Sequence, residues 1–198
     1  MFRSTWILIL TVVLCGWIES AAQERPQLMV VVYNDAGVPA GVIESAKRTA
    51  EMIYRDVGVS IIWRDHSDPL TPATELFVRI VHRSLNLPAE GFGVAFVGSD
   101  GRGVQADIFY SGIQQLTNSQ SVNPAQILGH VMAHELGHLL LGMNSHSRFG
   151  IMQAHWSDRQ LRQMSMGVLK FDKQQSEIIG ARLMGTPAVA QIAAELRR

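Results

Sequence analysis

Cysteine is almost absent from this 198-residue chain, which contains a single one, Cys15. One cysteine cannot form an intramolecular disulfide, and it cannot supply the several thiolates that a cysteine-based zinc site needs. A disulfide framework and a thiolate zinc site are therefore both excluded.

Net charge is absent as well, because 17 Lys and Arg residues balance 17 Asp and Glu residues. Proteins that bind nucleic acids need a basic face to neutralise phosphates, and electrostatic attachment to a membrane needs a cationic cluster. We therefore expect neither kind of partner. The chain is 47% hydrophobic, which is typical of a globular protein. Its length fits one domain, which we expect to be a monomer.

Long apolar runs are missing after the first 17 residues. Arg3 gives a positive start, an apolar run from Trp6 to Trp17 follows, and Ser20-Ala21-Ala22 offers small residues for cleavage. This order is typical of a secretory signal peptide. The apolar run is shorter than the roughly 20 residues that span a bilayer. An uncleaved membrane anchor is the alternative interpretation.

We therefore predict a signal peptide over residues 1–22 and a single domain over residues 23–198. Cleavage would remove Cys15 and leave a mature protein without cysteine. The location would then be extracytoplasmic, that is secreted or periplasmic, with no stable membrane association after cleavage.

Hydrophobic periodicity predicts alternating strands and helices in the first half of the mature chain. A helix is expected over Ala40–Val57, where apolar residues recur at helical spacing before Gly58. Five short segments have the alternating or β-branched pattern of strands. They are Gln27–Tyr33, Ser60–Trp63, Glu75–His82, Gly93–Val97 and Val104–Tyr110.

A second helix is predicted from Ile127 to about Leu141. Asn123 is a suitable N-cap for it, and Pro124 fits the first helical position. Gly142 follows directly and can adopt the left-handed conformation that ends a helix.

This helix contains the segment His134-Glu135-Leu136-Gly137-His138. Two histidines four residues apart lie on one face of a helix, so both imidazoles can reach one Zn²⁺ at about 2.0–2.1 Å. The glutamate between them points to the flank, where it can contact a water on the metal rather than the metal itself. The motif therefore predicts a zinc site with Glu135 as general base.

A catalytic zinc ion has three protein ligands and one open position, so a third ligand is needed. His130 extends the row of histidines, but on a straight helix it lies about 12 Å from His138. The third ligand must therefore come from chain that turns back after Gly142. The candidates are His146, which is the first imidazole able to fold back, His155 and Glu177.

The segment HELGHLLLGMNSHS, followed by Gly150-Ile151-Met152, resembles the zinc motif and Met-turn of the metzincin clan of zinc metalloproteases, whose pattern is HExxHxxGxxH followed by the turn methionine. The resemblance implies that His134, His138 and His146 bind the metal. It also implies that Met152 is the Met-turn residue beneath it.

Two segments before the zinc helix look like the last two strands of the matrixin catalytic domain, Gly91–Gly98 and Gly103–Phe109. In matrixins the first of these is the sheet-edge strand that binds the substrate backbone. The resemblance therefore implies substrate contacts at Gly93, Val94, Ala95 and Phe96.

The resemblance also implies the fold class, which is α+β of the α/β sandwich type. We expect a twisted mixed sheet of about five strands with a long helix after the first strand. The zinc helix, the Met-turn and a C-terminal helix over Asp172–Leu183 complete this zincin-like architecture.

The sequence departs from the family pattern in several places. His146 lies eight positions after His138, against six in the family motif. No tyrosine follows Met152, and the His-Gly-Asp pattern of the structural zinc and calcium sites of matrixins is missing before Gly93. With Cys15 as its sole cysteine, the chain has no propeptide thiolate that could cover the metal. One catalytic Zn²⁺ is therefore the expected cofactor.

These features predict an exported zinc-dependent endopeptidase that acts on peptide or protein substrates. Zinc would polarise the scissile carbonyl and activate a water, while Glu135 would move the proton. The segment Gln153–Trp156, which includes His155, is expected to form the wall of the substrate pocket. Two alternatives are a catalytically inactive zinc-binding homologue that acts as a binding module, and a zinc amidase that acts on cell-wall peptides.

Overall fold

The computed structural model describes residues 25–64, 75–83, 91–120 and 122–185. The predicted signal peptide, residues 1–22, lies outside these ranges. None of the helices within the described ranges combines the length and the apolar character needed to cross a bilayer.

The described chain forms five strands and five helices, in an α+β arrangement that confirms the predicted fold class. In chain order they are β1 (Gln27–Asn34), α1 (Ala40–Asp56), β2 (Ser60–Arg64), β3 (Glu75–Val81), β4 (Gly93–Ala95), β5 (Gln105–Phe109), α2 (Tyr110–Gln120), α3 (Pro124–Leu141), α4 (Asp158–Ser165) and α5 (Lys173–Leu183).

Two of these helices, α2 and α4, were not predicted. Tyr110 was expected to end a strand, but it begins α2. The sequence of α2 is mostly polar, and only Tyr110 and Ile113 among its residues are buried. Its apolar stripe is therefore too narrow to produce the periodicity from which a helix is recognised.

The five strands form one mixed sheet in the order β2-β1-β3-β5-β4. Strands β1, β2, β3 and β5 run parallel, and β4 pairs antiparallel with β5 at the edge of the sheet. Because β4 has a strand on one side only, half of its backbone hydrogen-bonding groups face away from the sheet.

Helices α1 and α3 pack against each other, and α3 also contacts β3, β4 and β5. Sixteen of the 18 residues of α3 are buried, so this helix is surrounded by protein on all sides. Gly129 permits the close approach of α1, because a Cβ atom there would lie 2.5 Å from Cβ of Thr49 and 2.6 Å from the Ala46 carbonyl oxygen. The tyrosine hydroxyl of Tyr54 ties the two helices together by donating to the Ala133 carbonyl at 3.1 Å.

Candidate metal centre

Helix α3 begins and ends where its sequence indicates. The Asn123 side chain accepts a hydrogen bond from the Ala125 amide at 2.9 Å, and Pro124 occupies the first turn. Gly142 has a φ of 70°, and its amide donates to the His138 carbonyl at 2.9 Å. The left-handed glycine reverses the chain and sends the following loop back along the helix.

This reversal brings His146 to the two histidines of the helix. One ligand nitrogen from each of His134, His138 and His146 can be chosen so that all three lie within 4.8 Å of one another. The imidazole of His146 lies 5.4 Å from that of His134 and 4.9 Å from that of His138, measured between ring centroids. These three side chains can hold one metal ion.

The hydrogen bonds of the two buried rings orient their free nitrogens. Nδ1 of His134 lies 2.8 Å from the Ile151 carbonyl oxygen, and Nδ1 of His138 lies 2.8 Å from that of Met143. A carbonyl can only accept, so each Nδ1 carries the hydrogen. The lone pairs of the two Nε2 atoms are then left to face each other.

The two Nε2 atoms are 3.0 Å apart. Nitrogen ligands at tetrahedral positions around one Zn²⁺ would be about 3.3 Å apart at ordinary bond lengths. Two unprotonated nitrogens at this separation repel each other unless a cation lies between them. The donor set and its spacing therefore fit a zinc ion.

Both rings are held in the neutral form that metal binding requires. Burial, together with a smaller contribution from the neighbouring histidines, lowers the pKa of His134 to about 3 and that of His138 to about 4. Burial also lowers the pKa of His146, with a contribution from His155. A metal ion therefore has few protons to displace at neutral pH.

Glu135 supplies a buried carboxyl group beside these rings. The residue is 4% exposed, and its Oε2 atom has no hydrogen-bond partner among the described residues. Burial raises the pKa of this carboxyl to about 8. A carboxyl group in such a position is able to take up a proton near neutral pH.

Gly93 of strand β4 makes room for that carboxyl. A Cβ atom at position 93 would lie 2.7 Å from Oε1 of Glu135 and 2.8 Å from the Asp107 carbonyl oxygen. The edge strand therefore passes directly against the carboxyl group, at a distance that only glycine permits.

Met152 packs beneath the helix between the two histidines. Its sulfur would lie 2.8 Å from a Cβ atom at Gly137, and the residue is 1% exposed. The Met152 carbonyl accepts a hydrogen bond from the Ser147 amide at 2.8 Å. The methionine segment is thus connected to the residue that follows His146.

A cavity of about 250 Å³ opens beside His134, His146 and Glu135. All four residues of the segment expected to form the pocket wall, Gln153–Trp156, line it. The ring of Trp156 stacks on Phe92 at 6.0 Å between centroids and meets His134 edge-on at 5.6 Å. The indole nitrogen donates to the Ile151 carbonyl at 3.3 Å, the same oxygen that orients His134.

Phe92 and Val131 also line this cavity, although neither was predicted as a site residue. A signal for Val131 was available, because it lies four residues before Glu135 and hence on the same face of α3. Phe92 carried no such signal, since its contact with Trp156 joins distant parts of the chain.

The residues expected to contact substrate, Gly93 to Phe96, differ in whether their backbone groups face β5 or point away from the sheet. Phe92 and Phe96 are hydrogen-bonded to β5, through the Phe92 carbonyl and the Phe96 amide. By the alternation of an antiparallel pair, the backbone groups of Val94 also face β5, while those of Gly93 and Ala95 face outward. The phenyl ring of Phe96 is exposed.

Two residues that were considered as metal ligands, His130 and Glu177, lie away from the three histidines. His130 is 2% exposed and its Nδ1 bonds to the Gln126 carbonyl at 2.8 Å, in a cavity bordered by α1. Glu177 is exposed on α5, where its carboxylate lies 3.8 Å from the Lys173 ammonium. His155 lines the cavity without joining the group of three histidines.

Neither a protein-family model nor a curated protein sequence matches the chain. Solved structures do. The archaemetzincin of Methanopyrus kandleri superposes with a TM-score of 0.55 at 14% identity, covering 82% of this chain and 99% of that one. A zinc-dependent peptidase of Methanocorpusculum labreanum gives a TM-score of 0.52 at 14% identity, covering 76% and 99%. At this level of identity the likeness establishes the fold.

Proposed function

We propose that this chain is a zinc-dependent peptidase of the metzincin type. The observation that carries the proposal is the buried Glu135 carboxyl, one oxygen of which has no hydrogen-bond partner among the described residues. It lines one cavity with His134 and His146, which together with His138 can hold one ion. A purely structural metal site has no use for such a group. The similar folds of an archaemetzincin and a zinc-dependent peptidase support the same conclusion.

His134, His138 and His146 are the proposed zinc ligands. Three nitrogen ligands leave one position of a tetrahedral ion open for water or substrate. The bound zinc ion would supply Lewis acidity, which polarises a carbonyl and lowers the pKa of a water to about 7. The Ile151 and Met143 carbonyls keep the first two rings in the tautomer that binds.

Glu135 is the proposed general base. It would take a proton from the attacking water and give it to the departing amine, which requires a pKa near the working pH. Its burial favours uptake of the proton, and Gly93 allows the substrate strand to come close to it. Met152 supports the helix from below, which is the role implied by the Met-turn resemblance.

The substrate would bind in an extended conformation along β4. The outward-facing amide and carbonyl groups of Gly93 and Ala95 pair with no other strand in the described part of the chain, so they could pair with a peptide backbone by strand addition. Val94 and Phe96 would contribute through their side chains instead. The cavity between Trp156 and Val131 would receive a substrate side chain.

We propose further that the protein acts outside the cytoplasm after removal of residues 1–22. The positive start, apolar run and small residues of that segment support export.

Measurement of zinc content together with cleavage of an unstructured protein tests this function. The wild type should bind one zinc per chain and cleave the substrate. Glu135→Ala should keep the zinc and lose activity by at least about 10²-fold, which is the contribution expected of a general base. Glu177→Ala removes an exposed carboxylate on α5 and is the matched control, which should behave as wild type.

Three results would contradict the proposal. If Glu135→Ala cleaved the substrate at a near wild-type rate, Glu135 would not be the general base. A zinc-loaded wild type that cleaves neither protein nor peptides would favour the inactive homologue. Hydrolysis of cell-wall peptides without any proteolysis would favour the amidase.

A further inference from the structure

Four titratable side chains line the cavity at the candidate metal centre, within the described part of the chain. They are His134, Glu135, His146 and His155. The proposed function gives a role to each except His155. His155 nevertheless lines the same cavity as His146 and Glu135.

The backbone that carries His155 is held at several points. The Met152 carbonyl accepts from the Ser147 amide at 2.8 Å, and the Gln153 side chain donates to the Arg148 carbonyl at 2.8 Å. On the other side, Trp156 is fixed by its indole hydrogen bond and by stacking on Phe92. The backbone that carries His155 is therefore held at the rim of the cavity before substrate arrives.

Within the segment Gln153–Trp156, His155 is the hydrogen-bond donor whose side chain is not already bonded to a described residue. The side chains of Gln153 and Trp156 already donate to backbone carbonyls, whereas the His155 ring is exposed and makes no hydrogen bond to the residues that the structure describes. One ring nitrogen of an imidazole carries hydrogen in either protonation state, so His155 can donate throughout the neutral range.

We propose that His155 donates a hydrogen bond to the carbonyl oxygen of the scissile peptide bond and stabilises the negative charge that develops there. This inference rests on the proposed peptidase function. It assigns His155 as a catalytic residue in addition to Glu135.

The step balances without any further reactant. The water oxygen bonds to the carbonyl carbon, the π electrons of the carbonyl move to its oxygen, and Glu135 takes the proton of the water. The carbonyl then re-forms, the carbon–nitrogen bond breaks with its electron pair on nitrogen, and Glu135 delivers the proton to that nitrogen. His155 keeps its proton and strengthens its hydrogen bond only while the oxygen is charged.

The test compares His155→Ala, His155→Gln and His82→Ala for kcat, KM and zinc content. His155→Ala should lower kcat by about 10²–10³-fold, as removal of one oxyanion donor does, with KM changed less than about threefold and zinc retained. His155→Gln keeps a donor and should recover at least about tenfold of that loss. His82→Ala removes an exposed imidazole outside the cavity and should match wild type.

A binding measurement separates this role from a structural one. A phosphonamidate peptide mimics the charged tetrahedral species, so His155→Ala should weaken its binding by about the same factor as kcat. Binding of the corresponding uncleaved substrate peptide, measured in the Glu135→Ala background, should stay within about threefold when His155 is also removed.

Several outcomes would overturn the inference. Activity of His155→Ala close to wild type, a loss confined to KM, equal weakening of both ligands, or loss of zinc would each do so. In those cases the dependence of wild-type activity on zinc and Glu135 would remain, and the proposed function would stand. A wild type without zinc or hydrolysis would overturn both proposals.

Discussion

Gly93 is the residue whose size matters most to the site. A methyl group there would meet Oε1 of Glu135 at 2.7 Å and the Asp107 carbonyl at 2.8 Å, so either the carboxyl or the edge strand must move. We predict that Gly93→Ala lowers kcat/KM by about 10²-fold, the usual cost of a displacement near 1 Å, while zinc stays bound.

Steady-state kinetics with metal analysis checks this prediction. Gly41→Ala is the control, because a Cβ atom at position 41 of α1 would meet no other atom within 4 Å. If the kinetics of Gly93→Ala were unchanged, the position of the Glu135 carboxyl beside Gly93 would not be the one that proton transfer requires.

The ligand set is the second question at the scale of the residue. We predict that His134→Ala, His138→Ala and His146→Ala each lose zinc and activity, because two remaining imidazoles hold the ion poorly. His130→Ala should keep its zinc, since that ring faces α1 and bonds to the Gln126 carbonyl.

Metal content after dialysis, with a zinc-binding titration, measures the difference. His155→Ala and Glu177→Ala should also retain the ion. A protein that binds zinc normally without His146, but not without Glu177 or His155, would belong to another zincin architecture.

At the scale of elements, we expect the close contact between α1 and α3 to contribute to stability. Gly129 lies where the helices touch, and its Cβ atom would come within 2.6 Å of both Thr49 and the Ala46 carbonyl. We predict that Gly129→Ala destabilises the fold by about 1–3 kcal/mol, the range for overpacking in a core.

Chemical denaturation monitored by circular dichroism measures that change. Gly180→Ala in α5 is the control, because its methyl group would meet nothing within 4 Å and would raise helix propensity. If the two alanine variants proved equally stable, the close packing at Gly129 would be refuted.

The helices differ in whether the local sequence marks where they begin and end. Helix α3 was predicted from its cap, its proline and its terminal glycine, all of which are local signals. Helix α4 also carried a local signal that was overlooked, the reciprocal capping box between Ser157 and Gln160. Helix α2 begins directly after β5 with no comparable cap, so its place depends on the sheet.

The stability of the whole molecule should depend on pH through the buried His130. Burial lowers the pKa of this ring from 6.5 in the folded state, partly offset by the Gln126 carbonyl. A lowered folded-state pKa means that the unfolded chain binds the proton more tightly. The stability is therefore fully present above pH 6.5 and is lost as the pH falls from there toward the folded-state pKa.

We predict that the free energy of unfolding falls less steeply from pH 7.5 to 5 in His130→Gln than in wild type. Denaturant midpoints of the zinc-loaded proteins across this range provide the comparison. Parallel pH profiles in the two proteins would show that His130 is not the responsible group.

Export is also a property of the whole molecule. We predict that the mature protein begins near Gln23 and contains no cysteine, because Cys15 lies in the removed segment. Intact mass and N-terminal sequencing of the exported form decide this. A species that retains Met1 to Trp17 would instead be anchored in a membrane and would meet its substrates there.

The sequence by itself determined the helix that carries His134, Glu135 and His138, together with the metal chemistry of that pattern. A spacing of four residues puts two side chains on one face of any α-helix, whatever surrounds it. It also predicted the five strands and the first long helix, because periodicity records which face of an element is buried. The α+β class was implied by the resemblance to the metzincin clan rather than by periodicity.

Only the tertiary structure decided which distant groups join that helix. It brought His146 to the two rings while leaving Glu177 on the surface. It also placed Gly93 against a carboxyl group with one oxygen that no described residue bonds. These contacts depend on where the chain returns after Gly142 and on the pairing of β4 with β5. A return path is set by the packing of the whole core, and no local pattern of residues encodes it.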